Sequence, residues 1–559
     1  MRIRLLPISV ITSLLLVSQP QLVSSQSPFY YQEEENYQSK YANTGKINQI
    51  GRTGVAAMHA VLLNEKTVLI IDKAEENEAK LDSGVSAFSS LYDIETNTYR
   101  PLLLETNTFC SAGGFLMNGT FISTGGAESR GRWNAAKGHQ SIRHFKPCTI
   151  TDNDCSWTEY STGKMYGNRW YPTVEQLPEG DIIIIGGSNA GTKYNTKEKN
   201  TPSYEFWPPR TDEPIQLDLL LHTLPYNLYP FVFLLPDGNL FIFASTKSII
   251  YDYQHQKVVK ELPRMPGVPR SYPLTGGAVM LPLDPEKNYN VEILICGGSE
   301  RPKPDSPADD TCGRINLSAK DPKWEMETFI HKRVMPDGVI LADGTVAWVN
   351  GCQRGYAGYN NANFDPTFEP LIYNPFEKEK EKRWIQGLAK TDIARMYHSV
   401  ALTLPDGRVW IAGSNSVDPP DTSDAVLYPT EYRVEYFSPP YLFKTQTRPK
   451  ISHVPHVVVY NQEFDILFHL EKDQSYREPS KVKVAIMRPG FSTHSMHMSQ
   501  RYVYLRHKVS EDFEFIKVIA PPNATIFPPG SGYLIVLYDG VPCKGVELFV
   551  EKNIEDLKI

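Results

Sequence analysis

Seven times along the chain, an apolar run of strand character enters a turn and a second such run comes straight back. The pattern is plainest from Ser399 to Ala412, where Pro405-Asp406-Gly407 separates two runs rich in β-branched and aromatic residues. Gly407 can take the positive φ that such a turn needs, so the stretch reads as a β-hairpin. Matching turns lie at Asn118-Gly119, Pro178-Glu179-Gly180, Pro236-Asp237-Gly238 and Ala342-Asp343-Gly344, with less regular ones after Leu63 and Leu283. The second runs end at or next to Asp72, Gly126, Gly187, Ala244, Gly298, Gly351 and Gly413, 53 to 62 residues apart, often on Gly-Gly. A hairpin repeated with a period of about fifty residues marks kelch-type propeller blades, and seven of them can close into a ring without exposed sheet edges. The expected fold is therefore all-β. A seven-bladed kelch-type β-propeller spans residues 26–445, and a C-terminal immunoglobulin-like β-sandwich spans 446–559.

The boundary is drawn from the Pro-rich Phe437-Ser-Pro-Pro-Tyr441 and Arg448-Pro449, after which Val482 to Met487, Tyr502 to Leu505 and Gly532 to Leu537 carry sandwich-type strand patterning. Residues 1–25 read as a secretory signal: Arg2 and Arg4, an apolar core from Leu5 to Val17, then the small-residue exit Leu22-Val23-Ser24-Ser25. No later stretch has the length of apolar sequence that crosses a bilayer, and no anchor tail is visible before Ile559. The expectation is a secreted, extracellular protein without membrane attachment. A net charge of −7 argues against a broad nucleic-acid surface.

An oxidising destination makes the seven cysteines informative. Cys148 and Cys155 are close enough to clip a loop, and Cys296 and Cys312 bracket a Pro/Asp-rich one. Cys352 with Cys543 would form a long-range pair, leaving Cys110 as the odd thiol, although spacing does not fix connectivity. Glycosylation patterns occur at Asn118-Gly-Thr120, Asn316-Leu-Ser318 and Asn523-Ala-Thr525.

Cys110 lies nine residues before Gly119, Tyr171 nine before Gly180 and Tyr397 ten before Gly407. All three thus stand at the start of an inner hairpin, where a propeller presents residues to its axis. Singly, each has a bland reading, as a packing thiol or a rim tyrosine. Their equivalent placement argues for a joint role, with His398 beside Tyr397. Neighbours on a regular strand face opposite ways, so Tyr397 and His398 share one metal only at an irregular strand end. A further imidazole is offered by His494 or His497, flanked by Met496 and Met498. Those methionines suit soft-metal ligation or plain strand packing equally.

Four motifs give the chain a resemblance to the copper-radical oxidases, galactose oxidase and glyoxal oxidase, and most closely to the plant glyoxal-oxidase-like proteins. They are Thr108-Phe-Cys110, Arg169-Trp-Tyr171, Arg395-Met-Tyr397-His398-Ser399 with Leu404-Pro-Asp-Gly-Arg408, and Ser492-Thr-His494 followed by Gln500-Arg501. The resemblance implies one copper ion held by Tyr171, Tyr397, His398 and His494, and a thioether joining Cys110 to Tyr171 as a radical cofactor. His494 is preferred to His497 because its distance to Gln500-Arg501 fits the family pattern. It implies oxidation of a small aldehyde of glyoxal or methylglyoxal type, with O2 reduced to H2O2. The alternatives are a primary-alcohol oxidase of galactose type and a non-catalytic extracellular propeller that binds wall polymers or proteins. One departure is visible: galactose oxidase stacks a tryptophan over its thioether after the third Gly-Gly, where this chain reads Gly186-Gly-Ser-Asn-Ala-Gly191.

Overall fold

A computed structural model describes residues 40–470 and 477–553. The leader at 1–25 and the last residues, Glu555 to Ile559, lie outside the described residues. The described chain is almost wholly β, interrupted by short 3-10 turns, and none of its helices is long and apolar enough to cross a membrane.

Each of the seven hairpins forms and grows outward into an antiparallel sheet. The inner strands are His59–Leu62, Ala112–Phe115, Thr173–Gln176, Phe231–Leu234, Gly277–Met280, Asp337–Ile340 and Ser399–Thr403. In every sheet the hairpin partner comes next and two outer strands follow, and each inner strand but His59–Leu62 stands at its sheet's edge. All but one of these inner strands are buried throughout, since their side chains pack on both faces against neighbouring sheets. Thr173–Gln176 lies beside Ala112–Phe115 and Phe231–Leu234; Asp337–Ile340 lies beside Gly277–Met280 and Ser399–Thr403; Ser399–Thr403 lies beside His59–Leu62. The seventh sheet takes its outermost strand, Lys46–Arg52, from the start of the described chain, pairing Lys46 with Ser438.

After Pro449 two further sheets form. One contains Pro449–His453, Glu463–Leu470, Phe515–Ile519 and His507–Val509; the other contains Val482–Arg488, Arg501–Leu505 and Gly530–Tyr538. From the second sheet the hairpin Phe491–Thr493/Met496–Met498 projects away and joins the first of the seven sheets, pairing Thr493 with His59 and Phe491 with Val61. It also touches the inner strands Ala112–Phe115, Thr173–Gln176, Gly277–Met280, Asp337–Ile340 and Ser399–Thr403. One element of the C-terminal part thus runs among inner strands of most of the other sheets.

Cys148–Cys155 and Cys296–Cys312 are disulfides, the second joining directly paired strand residues. The expected Cys352–Cys543 bond is not formed. Both are free and buried. Cys352 sits in the strand Cys352–Gly355 against the Arg354 carbonyl, and Cys543 accepts from the Val536 amide inside the C-terminal sheet. In each case the local strand, not a distant partner, occupies the sulfur.

Candidate metal centre

Cys110, Tyr171 and Tyr397 each precede the first residue of an inner strand by two positions, so the hairpin offset does place them alike. The backbone there is unusual. Cys110 has φ 53°, Tyr171 64° and His398 61°, all in the left-handed region that non-glycine residues rarely enter. Such conformations cost ~1–3 kcal/mol each and persist only where the surroundings enforce them. At Tyr171 and at the Tyr397-His398 pair the loop is held by an arginine two residues before the tyrosine. Arg169 donates to Glu205 Oε1 at 2.7 Å, the Gly186 carbonyl at 2.8 Å and the Ser203 carbonyl at 2.9 Å. Arg395 repeats the arrangement on Glu435 at 2.9 Å, Gly413 at 2.8 Å and Arg433 at 3.0 Å. Each guanidinium ties the loop before an inner strand to the end of the next strand and to the third. The rest of two of the motifs, Arg169-Trp-Tyr171 and Arg395-Met-Tyr397, is therefore a clamp.

The left-handed turn at His398 also settles how adjacent residues face one point. Both precede the strand, and their rings stack at 3.7 Å with a 28° interplanar angle. His494 arrives from the opposite direction at the tip of the projecting hairpin. It and Ser495 are the two central residues of a two-residue turn, with φ 46° and 66°, the pattern of a type I′ turn. Gln500 fixes the hairpin's base by accepting from the Ile340 amide at 2.8 Å and donating to the Gly338 carbonyl at 3.2 Å. Arg501 adds bonds to the Leu234 and Ile526 carbonyls.

These elements bring one ligand-capable atom each of Cys110, His398 and His494 within 4.8 Å of one another. Cys110 Sγ is 3.4 Å from His494 Nε2. The His398 and His494 rings lie 4.8 Å apart at 80°, with Tyr397 at 5.6 Å and Tyr171 at 6.3 Å from His494. The Tyr171 amide donates to the Cys110 carbonyl at 3.0 Å. All five residues are buried, none more than 4% exposed. His497 is placed elsewhere: its Nε2 faces Asp337 Oδ1 at 3.4 Å, and Met496 and Met498 are buried around it.

Burial sets the electrostatics. Desolvation, then the neighbouring imidazole, holds His398 well below the ordinary histidine value, and His494 falls likewise from desolvation and then His59. Both rings are neutral and carry a lone pair. Desolvation, reinforced by the Tyr272 hydroxyl, raises Tyr171 and Tyr397 well above the usual phenol range, and burial raises the Cys110 thiol. His398 Nε2 is buried with no hydrogen-bond partner, while its Nδ1 meets the Tyr359 hydroxyl at 3.3 Å. Two neutral imidazoles with available nitrogens, beside two phenols, suit Cu(II).

Several residues at this centre went unread in the sequence. Tyr229 lies nine before Gly238, the same offset as Cys110 and Tyr171, so the signal was present. Its ring is 4.8 Å from His494, and its hydroxyl donates to the Ser111 carbonyl at 2.8 Å. Tyr272 sits on the hairpin with the longer turn, where the offset fails. Its hydroxyl is 3.0 Å from that of Tyr397 and its ring 4.6 Å from Tyr171. Tyr359 comes from a two-stranded insertion, Cys352–Gly355 with Asn363–Pro366, that no repeat could announce. Trp170 stacks on Tyr171, ring centres 5.6 Å apart and planes within 6°. The segment lacking a tryptophan answers to this: a Cβ on Gly191 would fall 2.4 Å from the Trp170 indole.

The fold class comes first from comparison. Residues 448–550 match the model of the galactose oxidase-like, early set domain. A solved fungal alcohol oxidase of the AA5 family, in complex with copper, superposes over 91% of this chain and 100% of its own, with a TM-score of 0.66 at 18% identity. Residues 47–441 match the glyoxal oxidase N-terminus model. The aldehyde oxidase GLOX1 of Arabidopsis thaliana is 36% identical over 539 residues, covering 88% of this chain and 82% of that protein. The aldehyde oxidase GLOX of Vitis pseudoreticulata is 35% identical, covering 88% and 94%. The chain belongs to the glyoxal oxidase family.

Proposed function

We propose that the protein is a copper-radical oxidase that converts small aldehydes to carboxylic acids while O2 is reduced to H2O2. The observation that carries this reading is the convergence of Cys110, His398 and His494, with Tyr171 and Tyr397 around them, in one buried centre. Tyr171, Tyr397, His398 and His494 would hold the metal, and Cys110 would join Tyr171 through a thioether. Copper, when bound, supplies a Lewis-acidic position for the substrate oxygen and a one-electron partner for the tyrosine.

In this reading an aldehyde enters as its hydrate. Tyr397 takes a proton from the hydrate hydroxyl as general base, and Tyr272, 3.0 Å from the Tyr397 oxygen, is the next group able to carry it. The Cys110–Tyr171 pair, once joined and oxidised, would supply the acceptor for the hydrogen atom on carbon. Trp170, stacked on Tyr171, keeps water from that ring. The hydrate loses two electrons and two protons to become the acid, and O2 gains both to become H2O2. The seven sheets are read as blades of one propeller, closed by Lys46–Arg52 on Arg433–Ser438, over residues 26–445. Residues 446–559 are read as the immunoglobulin-like domain that delivers His494. Residues 1–25 are read as a signal for secretion.

The test is a peroxide-coupled assay of copper-loaded protein on glyoxal, methylglyoxal and galactose. The reading predicts peroxide from the two aldehydes. Turnover of galactose alone would move the assignment to alcohol oxidation, and a copper-bound but silent protein would favour a binding module.

A further inference from the structure

His59 opens the inner strand of the first sheet, is fully buried, and stacks on Phe491 at 5.5 Å. Its two nitrogens have different partners. Nε2 is 3.2 Å from the Thr108 carbonyl, and Nδ1 is 2.7 Å from the Thr493 hydroxyl. That hydroxyl also lies 2.6 Å from His494 Nδ1. The proton positions along this line follow from donor and acceptor chemistry. A carbonyl has no proton to give, so His59 Nε2–H donates to Thr108. A neutral imidazole carries one N–H, which leaves His59 Nδ1 as an acceptor. It therefore takes the single hydroxyl proton of Thr493. Having donated it, Thr493 Oγ1 can only accept from His494 Nδ1, so that nitrogen holds the hydrogen. His494 Nε2 is left bare, on the side where Cys110 Sγ stands at 3.4 Å.

We propose that His59 and Thr493 are positioning residues which lock His494 in the Nδ1–H tautomer and so present its Nε2 lone pair to copper; the proposal rests on the oxidase reading above for its metal. A neutral His59 is required. Complete burial is the main force against a second proton, and the Arg143 guanidinium also opposes it. With a doubly protonated His59 the line would reverse: Thr493 would donate to His494, and the blocking proton would sit on Nε2. The relay also joins two parts of the centre. It begins at Thr108, two residues before Cys110, and ends at His494 against the Cys110 sulfur. Thr108 is itself held, its hydroxyl donating to the Asp72 carbonyl. The hairpin that carries His494 and the loop that carries Cys110 are thereby set by one chain of bonds.

The test uses full-length protein labelled with 15N at histidine, first without copper. Two-bond 15N–1H correlations distinguish the tautomers, and the His494 signal is assigned by its loss in His494→Gln. The expected result is an Nδ1–H His494 in the wild type and in Thr493→Ser, lost in Thr493→Val. Copper affinity, read by chelator competition, should fall ~10- to 100-fold in Thr493→Val and return in Thr493→Ser. An Nε2–H His494 in the wild type overturns the proposal, even if every variant fails to fold. So does a Thr493→Val protein with unchanged tautomer and affinity, whatever its melting temperature. A wild type that shows the Nδ1–H form yet binds no copper would instead sink the oxidase reading and leave the proton assignment standing.

Discussion

At the scale of single residues, the centre is a set of groups held neutral by burial, and metal binding must change that. Tyr171 and Tyr397 keep their protons far above neutrality, whereas His398 and His494 have already lost theirs. On the proposed ligand set, copper would therefore compete with protons on phenols and not on imidazoles. Its apparent affinity should rise with pH between 6 and 8, by about tenfold per unit for each phenol proton released. Competitive titration at three pH values reads the slope, and a flat profile would remove both tyrosines from the ligand set. Tyr397→Phe should keep the copper held by His398 and His494 but lower turnover ~10²- to 10⁴-fold, the range of one general base. Tyr272→Phe loses only the hydroxyl 3.0 Å from Tyr397, and its turnover should fall about tenfold or less, as one hydrogen bond is worth ~1 kcal/mol. Steady-state kinetics on copper-matched samples separate the two. Equal losses would contradict the assignment of the base.

Single elements differ in how readily the sequence exposes them. The seven hairpins were legible because their turn chemistry and period are local. Tyr171, Cys110 and Tyr397 could be compared by counting back from turn glycines. The same count would have reached Tyr229 but not Tyr272 or Tyr359, since a longer turn and an inserted pair of strands break the register. Nor does any local pattern reveal that Phe491–Met498 leaves its own sheet to run among strands as far back as the first, as in the pairing of Thr493 with His59. The disulfide Cys296–Cys312 follows from strand pairing, whereas Cys352 and Cys543 were misjudged by counting to even numbers. The projecting hairpin carries a testable strain. Ser495, at φ 66°, sits where a type I′ turn favours glycine. Ser495→Gly should raise the melting temperature of copper-free protein, by up to ~1 kcal/mol in stability, with copper affinity unchanged. A lower melting temperature would mean that the serine side chain holds the turn. A second element-scale expectation concerns Val546–Glu551, where the Glu547 carboxyl is pushed up to about 7 by burial and then by the Glu65 charge. A folded value above the unfolded one gives stability that is present below about 4.5 and lost as pH rises through about 7. Glu547→Gln should therefore gain in melting temperature relative to the wild type between pH 5 and 8. A constant difference would show that the Glu547 carboxyl is not held above its ordinary range.

For the whole molecule, the division of labour is between the loops before the inner strands, which present Cys110, Tyr171, Tyr397 and His398, and a C-terminal unit that supplies His494. Neither part has the complete centre, so copper should stabilise both together and merge their unfolding into one transition. The cysteines fit the same division. Two disulfides brace outer loops or strands, and Cys110, Cys352 and Cys543 are all buried, so no thiol should react with a bulky reagent in the native protein. The central claim is that Cys110 and Tyr171 become one cofactor. Its most direct measurement is peptide mapping by mass spectrometry of protein loaded with copper in air and then fully reduced. The peptides holding Cys110 and Tyr171 should run as a single species, two hydrogens lighter than their sum and stable to thiol reductants. Separate, unmodified peptides from a copper-bound sample would contradict it.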